Sequence, residues 1–154
     1  MSAKVSVAPS FAGSGVYSKQ EFKRGDVIGE VRGRIVAGPG DQYAIGLDDH
    51  HTLDPVAPFR FLNHSCSPNA YFFTDDRKRG KHHRMFVGVL RRIRPGEELT
   101  IAYGWGAADA VPCLCGTKKC LGWIVDPKEL HLVEQAKKPR SKAKTKLASK
   151  RKSA

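Results

Sequence analysis

Turn signals divide the first hundred residues of this chain, and the segments beside them carry strand-forming side chains in short runs. The turn signals stand at Lys23-Arg24-Gly25-Asp26, at Gly38-Pro39-Gly40-Asp41, over residues 75–81 and at Arg94-Pro95-Gly96-Glu97. The segments between them, residues 5–8, 15–19, 27–36, 43–47, 71–74, 84–92 and 98–102, are rich in β-branched and aromatic side chains. Such segments read as strands. Strands this short and this closely spaced predict a mainly β chain of small sheets and not a doubly wound α/β fold. There is no internal repeat.

Residues 27–36 partly alternate, with Gly29, Val31, Gly33 and Ile35 opposite Ile28, Glu30, Arg32 and Arg34. This is the pattern of a strand half open to solvent. Residues 85–90 bunch their apolar side chains, which predicts a strand buried on both faces. One late helix is signalled. Asp126 is placed to cap it, Pro127 to begin it and Glu129 to complete a capping box, so it runs to about Ala136 and stops before Pro139.

Several classes are excluded. The apolar run over residues 85–90 is far shorter than the ~20 residues of a membrane span. No charged-then-apolar leader opens the chain, and four cysteines in 154 residues are too sparse for a secreted disulfide scaffold. The expected setting is therefore intracellular, bacterial cytoplasm or nucleus.

Charge is concentrated at one end. Of 27 Lys and Arg residues, nine lie in residues 137–154, which contain none of the 15 acids. The rest of the chain is close to neutral, at +3 of the total +12. The 137–154 segment has one larger aliphatic residue, Leu147, and too little apolar surface to offset its ordering entropy. It is expected to be a disordered basic tail that contacts nucleic acid through counterion release. A solubilising or localisation role is the plainer alternative.

Cys113, Cys115 and Cys120 form C-x-C-x4-C, and Cys66 stands 47 residues before the first of them. Three thiols in eight residues, with Gly116 permitting the turn, suit tetrahedral zinc better than a disulfide pair. Cys66 is the one thiol left to close the site. A closed all-thiolate site has no open position, so this zinc would hold structure. Two polar clusters accompany it. R-F-L-N-H-S-C-S-P-N spans residues 60–69, and E-E-L-T-I-A-Y-G-W spans residues 97–105. Alone, Asn63-His64 is explained by a satisfied local network, and Tyr103 by a core tyrosine with its hydroxyl paired. G-S-G-V-Y (residues 13–17) is too short to be a dinucleotide fingerprint.

Together, the four motifs resemble the SET-domain protein-lysine methyltransferases over about residues 5–125. G-S-G-V-Y is similar to the family's first cofactor motif, and residues 60–69 to its R-F-[IL]-N-H-S-C-x-P-N core. P-G-E-E-L-T-I-A-Y-G is similar to the G-E-E-L-T-x-x-Y motif, and C-L-C-G-T-K-K-C-L-G-W-I to the zinc-binding post-SET segment. The resemblance implies a SET domain over residues 1–110, a post-SET zinc segment over 111–126, the helix over 127–136 and the tail over 137–154. It also implies small sheets around a threaded pseudoknot that brings the Asn63-His64 and Tyr103 motifs together.

The implied chemistry is transfer of a methyl group from S-adenosylmethionine to a lysine ε-amine on a protein substrate. By resemblance, Tyr103 is the catalytic residue, where the lysine channel meets the cofactor. Asn63 and His64 hold the cofactor, Arg60 and Tyr43 neighbour it, and Ser14 and Gly15 meet its polar end. The implied zinc ligands are Cys66, Cys113, Cys115 and Cys120. Ile101 and Ala102 stand where the family often has an aromatic residue and Asp, and Val31 where it often has Tyr. The expected channel, with Ile101 and Val31 on its wall, is poor in hydroxyls. The competing reading is a catalytically degenerate SET fold anchored to nucleic acid by the tail.

Overall fold

The computed structural model describes residues 4–79 and 82–137. The strands are β1 (Val5–Ser10), β2 (Gly13–Ser18), β3 (Val27–Val31), β4 (Gly33–Ala37), β5 (Ile45–Gly46), β6 (His51–Pro55), β7 (Asn63–His64), β8 (Ala70–Arg79), β9 (His82–Val89), β10 (Glu98–Ile101), β11 (Val111–Pro112) and β12 (Trp123–Ile124). One α-helix, α1 (Leu130–Lys137), follows a 3-10 turn at Pro127–Glu129. The sheets are small, as expected: β1-β2-β10-β7, β3-β9-β8, β4-β6-β5 and the pair β11-β12.

Local chemistry sets the turns. At residues 23–26 the Asp26 carboxylate accepts from the Lys23 N–H at 2.7 Å, and the Asp26 N–H returns to the Lys23 carbonyl at 3.0 Å. At residues 94–97 the Glu97 N–H reaches the Arg94 carbonyl at 3.0 Å, across Gly96 at φ +81°. That left-handed conformation favours glycine. The core gathers Val16, Ile28, Val87, Val89, Ile93 and Leu99, each no more than 2% exposed. Burying a side chain of this size stabilises by roughly 1.5–3 kcal/mol.

The single strand expected over residues 27–36 is two strands in different sheets. The break falls at Arg32, and the missing side chain of Gly33 lets β4 lie directly against the backbone of β6, where any Cβ would overlap the Asp54 carbonyl. The alternation also fails. The register shifts between Val27 and Gly29, so Ile28 is an extra residue. A bulge of this kind reverses which face the following side chains take, and both Ile28 and Val31 reach the core.

The β9 segment is buried on one face, through Met85, Val87 and Val89, while Leu90 is 42% exposed. Its other face carries an aromatic ladder. Phe86 stacks on Phe73 at 5.6 Å, Phe73 meets Tyr71 at 5.7 Å, and the Tyr71 ring fills the space above Gly88. The expected turn over 75–81 is shorter than predicted, since β8 continues to Arg79 and β9 starts at His82.

The helix also differs in detail. Asp126 caps it, accepting from the Lys128 N–H at 2.9 Å. Glu129 does not return the bond. Its carboxylate accepts from the Ala107 N–H at 2.7 Å, and the Asp126 N–H donates to the Trp105 carbonyl at 2.7 Å. The helix includes Lys137, and the rest of the expected tail, residues 138–154, lies outside the described residues. Among the described residues no helix is long and apolar enough to cross a membrane.

Candidate active site and metal centre

The site forms where two distant segments pair. Parallel pairing of β7 with β10 sets Asn63 opposite Thr100 and His64 opposite Ile101, the juxtaposition the family resemblance requires. Asn69, 1% exposed, locks this register. Its amide donates to the Glu98 carbonyl at 2.8 Å and accepts from the Thr100 N–H at 2.9 Å.

Tyr103 follows β10. Its N–H donates to His64 Nδ1 at 3.1 Å, and its hydroxyl donates to the Leu62 carbonyl at 2.8 Å. His64 and Trp105 flank its ring, at 5.4 Å and 5.2 Å. Burial raises the Tyr103 pKa, so the phenol stays protonated past its ordinary range. Burial likewise lowers that of His64, favouring a neutral imidazole.

Two cavities meet at this tyrosine. The first, about 240 Å³, is lined by Ile45, Phe59, Leu62, Phe72, Ile101 and Tyr103 among others. The second, about 280 Å³, is lined by Phe11, Asn63, His64, Tyr103, Leu114 and Ile124 among others. Gln42, Tyr43, Tyr103 and Trp105 belong to both.

The residues singled out in the sequence divide between these places. Asn63 and His64 line the second cavity, Arg60 and Ile101 the first, and Tyr43 both. Arg60 is held by Asp54 at 2.6 Å and Asp41 at 3.3 Å, with its guanidinium 4.1 Å from the Tyr43 ring centroid. This arrangement fastens the loop before β5 beside the first cavity. Its bond to Asp54 raises the Arg60 pKa. Ser14 and Gly15 are not among the lining residues of either cavity; Phe11 and Ala12, at the tip of the same hairpin, line the second. Ser14 acts through its carbonyl, which accepts from Asn63 Nδ2 at 3.0 Å. Val31, 4% exposed, packs in the core and lines neither cavity.

Two residues were missed in the sequence. Glu98 accepts from Asn63 Nδ2 at 2.8 Å and from Ser10 Oγ at 2.9 Å, tying three strands together. The carboxylate fills the space beside Gly15, where an added Cβ would overlap it. Trp105 walls both cavities. The signal for Glu98 was its place in the E-E-L-T motif; Trp105 had only its nearness to Tyr103.

The four cysteines converge. All are free thiols, with sulfurs within 4.8 Å of one another. Cys66 and Cys113 stand 3.7 Å apart, well beyond the ~2.05 Å of a disulfide. Sulfurs placed tetrahedrally at ~2.3 Å from one ion would be about 3.8 Å apart, so the spacing fits a metal. The Leu121 and Gly122 N–H groups point at Cys66 and Cys120, each at 3.4 Å. Burial pushes the Cys66 and Cys113 thiols up. At Cys115 burial also raises the pKa, but hydrogen bonds from Thr117 and the Cys66 backbone outweigh it and leave it at about 6. Four thiols this close favour a cation over four separate protons. His64 Nε2 lies 3.4 Å from Cys66 Sγ, so one imidazole touches both the cluster and the Tyr103 backbone.

The SET domain family matches residues 13–104. The chain is 34% identical over 129 residues to the histone-lysine N-methyltransferase trithorax of Drosophila virilis, covering 73% of this chain and 3% of that protein. It is 32% identical over 131 residues to an H3 lysine-4 specific histone-lysine N-methyltransferase of Neurospora crassa, covering 71% and 10%. A histone-lysine N-methyltransferase of Oryza sativa is 31% identical over 133 residues, covering 74% and 13%. The chain thus spans a small fraction of the length of these curated relatives.

Proposed function

The chain belongs to the SET-domain family, and on that footing we propose that it is a protein-lysine N-methyltransferase using S-adenosylmethionine. The observation that carries this reading is the position of Tyr103, which lines both cavities at once. In this reading the first cavity takes the lysine side chain and the second takes the cofactor. When bound, S-adenosylmethionine supplies an electrophilic methyl, so neither a metal nor a covalent intermediate is needed.

The chain's own work is to prepare the amine. A lysine of ordinary pKa ~10.4 is only roughly 0.04% neutral at pH 7. Leu62, Phe72 and Ile101 make the first cavity largely apolar on one side, which disfavours the ammonium. The Tyr103 hydrogen is committed to the Leu62 carbonyl, so its oxygen faces the amine as an acceptor and orients it. Holding the amine in line with the methyl lowers the barrier further. Asn63, braced by Glu98 and the Ser14 carbonyl, and His64 hold the cofactor side. Cys66, Cys113, Cys115 and Cys120 would hold one structural zinc, tying residues 113–120 to the loop after β7.

The relatives named above are histone-lysine N-methyltransferases, so a histone or similarly basic chromatin protein is the substrate class, with the basic tail as an anchor to nucleic acid in the same setting. The test is incubation with labelled S-adenosylmethionine and basic protein substrates, followed by mass spectrometry of lysines. Label on lysine in the parent and its loss in Tyr103→Phe are expected. Tight cofactor binding with no transfer to any protein would overturn the reading.

A further inference from the structure

We propose that Glu129 is a positioning residue: its carboxylate, delivered by the C-terminal helix, holds the segment carrying Trp105 at the junction of the two cavities, independently of the cysteine cluster. The proposal rests on the functional reading of those cavities above. Trp105 walls both of them and packs 5.2 Å from the Tyr103 ring. Yet little in its own segment holds it. It lies beyond the end of β10 at Ile101, in no strand or helix. Glycines stand on both sides, Gly104 at φ +64° and Gly106. Glycine has the largest backbone freedom, so an indole between two of them needs an external anchor to keep one position.

The anchor comes from twenty residues further along. The Asp126 N–H donates to the Trp105 carbonyl at 2.7 Å, and Glu129 Oε2 accepts from the Ala107 N–H at 2.7 Å. The two bonds bracket Gly106, whose Cβ position lies 3.5 Å from the same carboxylate oxygen. Asp126 and Glu129 are themselves fixed. Asp126 caps the turn through the Lys128 N–H, and the Glu129 N–H returns to the Asp126 carbonyl at 2.8 Å. Val125 and Val133, each 2% exposed, bury the apolar side of the element. No cysteine takes part, so the tryptophan segment has a second attachment beside the one the metal would provide.

The chain has two tryptophans, so a Trp123→Phe background makes Trp105 the sole indole reporter. In that background Glu129→Ala should shift Trp105 emission to longer wavelength and speed exchange of the Asp126 amide hydrogen. It should raise KM for a lysine peptide about tenfold, the size expected for one charge-assisted hydrogen bond, with a smaller change in kcat. Glu129→Gln keeps an acceptor and should restore emission and KM to within about threefold of the parent. Ala107→Pro deletes the donor instead. Ala107 begins a 3-10 turn, where proline is tolerated, so it should reproduce Glu129→Ala, and the double variant should be no worse than either. Metal content should equal the parent's throughout. Unchanged emission and amide exchange in Glu129→Ala, additive effects in the double variant, or loss of metal from Glu129→Ala would overturn the proposal. If no protein in the series, parent included, transfers methyl, the functional reading fails while emission and exchange still report on the anchor.

Discussion

Gly15→Ala should weaken cofactor binding without placing any new atom in a cavity. An added Cβ would overlap the Glu98 carboxylate and lie 3.0 Å from Ser10 Cβ. Gly15 is buried in β2, paired with Ala8, so the backbone is held and the flexible Glu98 carboxylate moves. It then loses its bonds from Asn63 at 2.8 Å and Ser10 at 2.9 Å. Hydrogen bonds to a charged group are worth about 1.5–3 kcal/mol each, and partial exposure of Glu98 puts both at the low end, about 3 kcal/mol together. Alanine recovers about 0.5–1 kcal/mol by losing less backbone entropy than glycine in a strand. A net loss of about 2 kcal/mol remains, read as a lower denaturant midpoint with unchanged slope. Asn63 keeps only the Ser14 carbonyl, so affinity for S-adenosylmethionine by calorimetry should fall about tenfold. In a Glu98→Ala background the bonds are already gone, and Gly15→Ala should then cost almost nothing more. A Gly15→Ala protein with parental midpoint and affinity, or one as damaging with Glu98 already removed, would refute this account.

Four further outcomes are expected. Tyr103→Phe should remove most methyl transfer while leaving cofactor affinity within about threefold; in the parent, burial holds the phenol protonated, so the rate should climb with pH as substrate amine loses its proton and show no fall near the ordinary tyrosine pKa of about 10. A falling limb well below that pH, absent from Tyr103→Phe, would contradict it. Elemental analysis should find one zinc per chain, and Cys66→Ser should lose it and expose residues 113–125 to hydrogen exchange without unfolding the β1–β2 hairpin; a zinc-free parent would count against the site. Ile101 carries no hydroxyl to hold a water in the channel, so dimethyl or trimethyl product should accumulate at long times and Ile101→Tyr should shift it toward monomethyl, which mass spectrometry reads directly. Deleting residues 138–154 should abolish nucleic-acid binding at moderate salt yet leave methylation of a short peptide intact; unchanged binding by the truncated chain would dismiss the tail as anchor.

The β-rich character, the turns at 23–26 and 94–97 and the Asp126 cap were legible because each is decided within a few residues. Glycine at positive φ, an aspartate two residues before the N–H it captures, and β-branched runs all act locally. The cysteines were legible for a different reason. Thiol chemistry offers few stable arrangements, so three clustered cysteines and one left over already pose the question of what gathers them, and the 3.7 Å sulfur spacing is compatible with a metal. The motifs of residues 60–69 and 97–105 could be read only as patterns, since an isolated Asn-His or strand-end Tyr is consistent with an ordinary core.

What the tertiary structure alone decided depends on which distant backbones come together. The β7–β10 pairing joins residues almost forty apart, and no periodicity in either segment announces its partner. The bulge at Ile28 overturned the alternation of 27–36, because one inserted residue reverses every later side chain in a period of two. Glu98 was visible in the sequence only as part of the E-E-L-T motif; the approach of Gly15, Ser10 and Asn63 is what surrounds its carboxylate. Val31, expected on the channel wall, packs in the core at 4% exposure, opposite Met85 of β9. Glu129 followed the capping-box pattern, yet its carboxylate went to Ala107, since a bond to a distant orphan N–H competes on equal terms with one to its own helix. Local propensity specifies which elements exist; the partners of their polar groups are settled only when the core has closed around them.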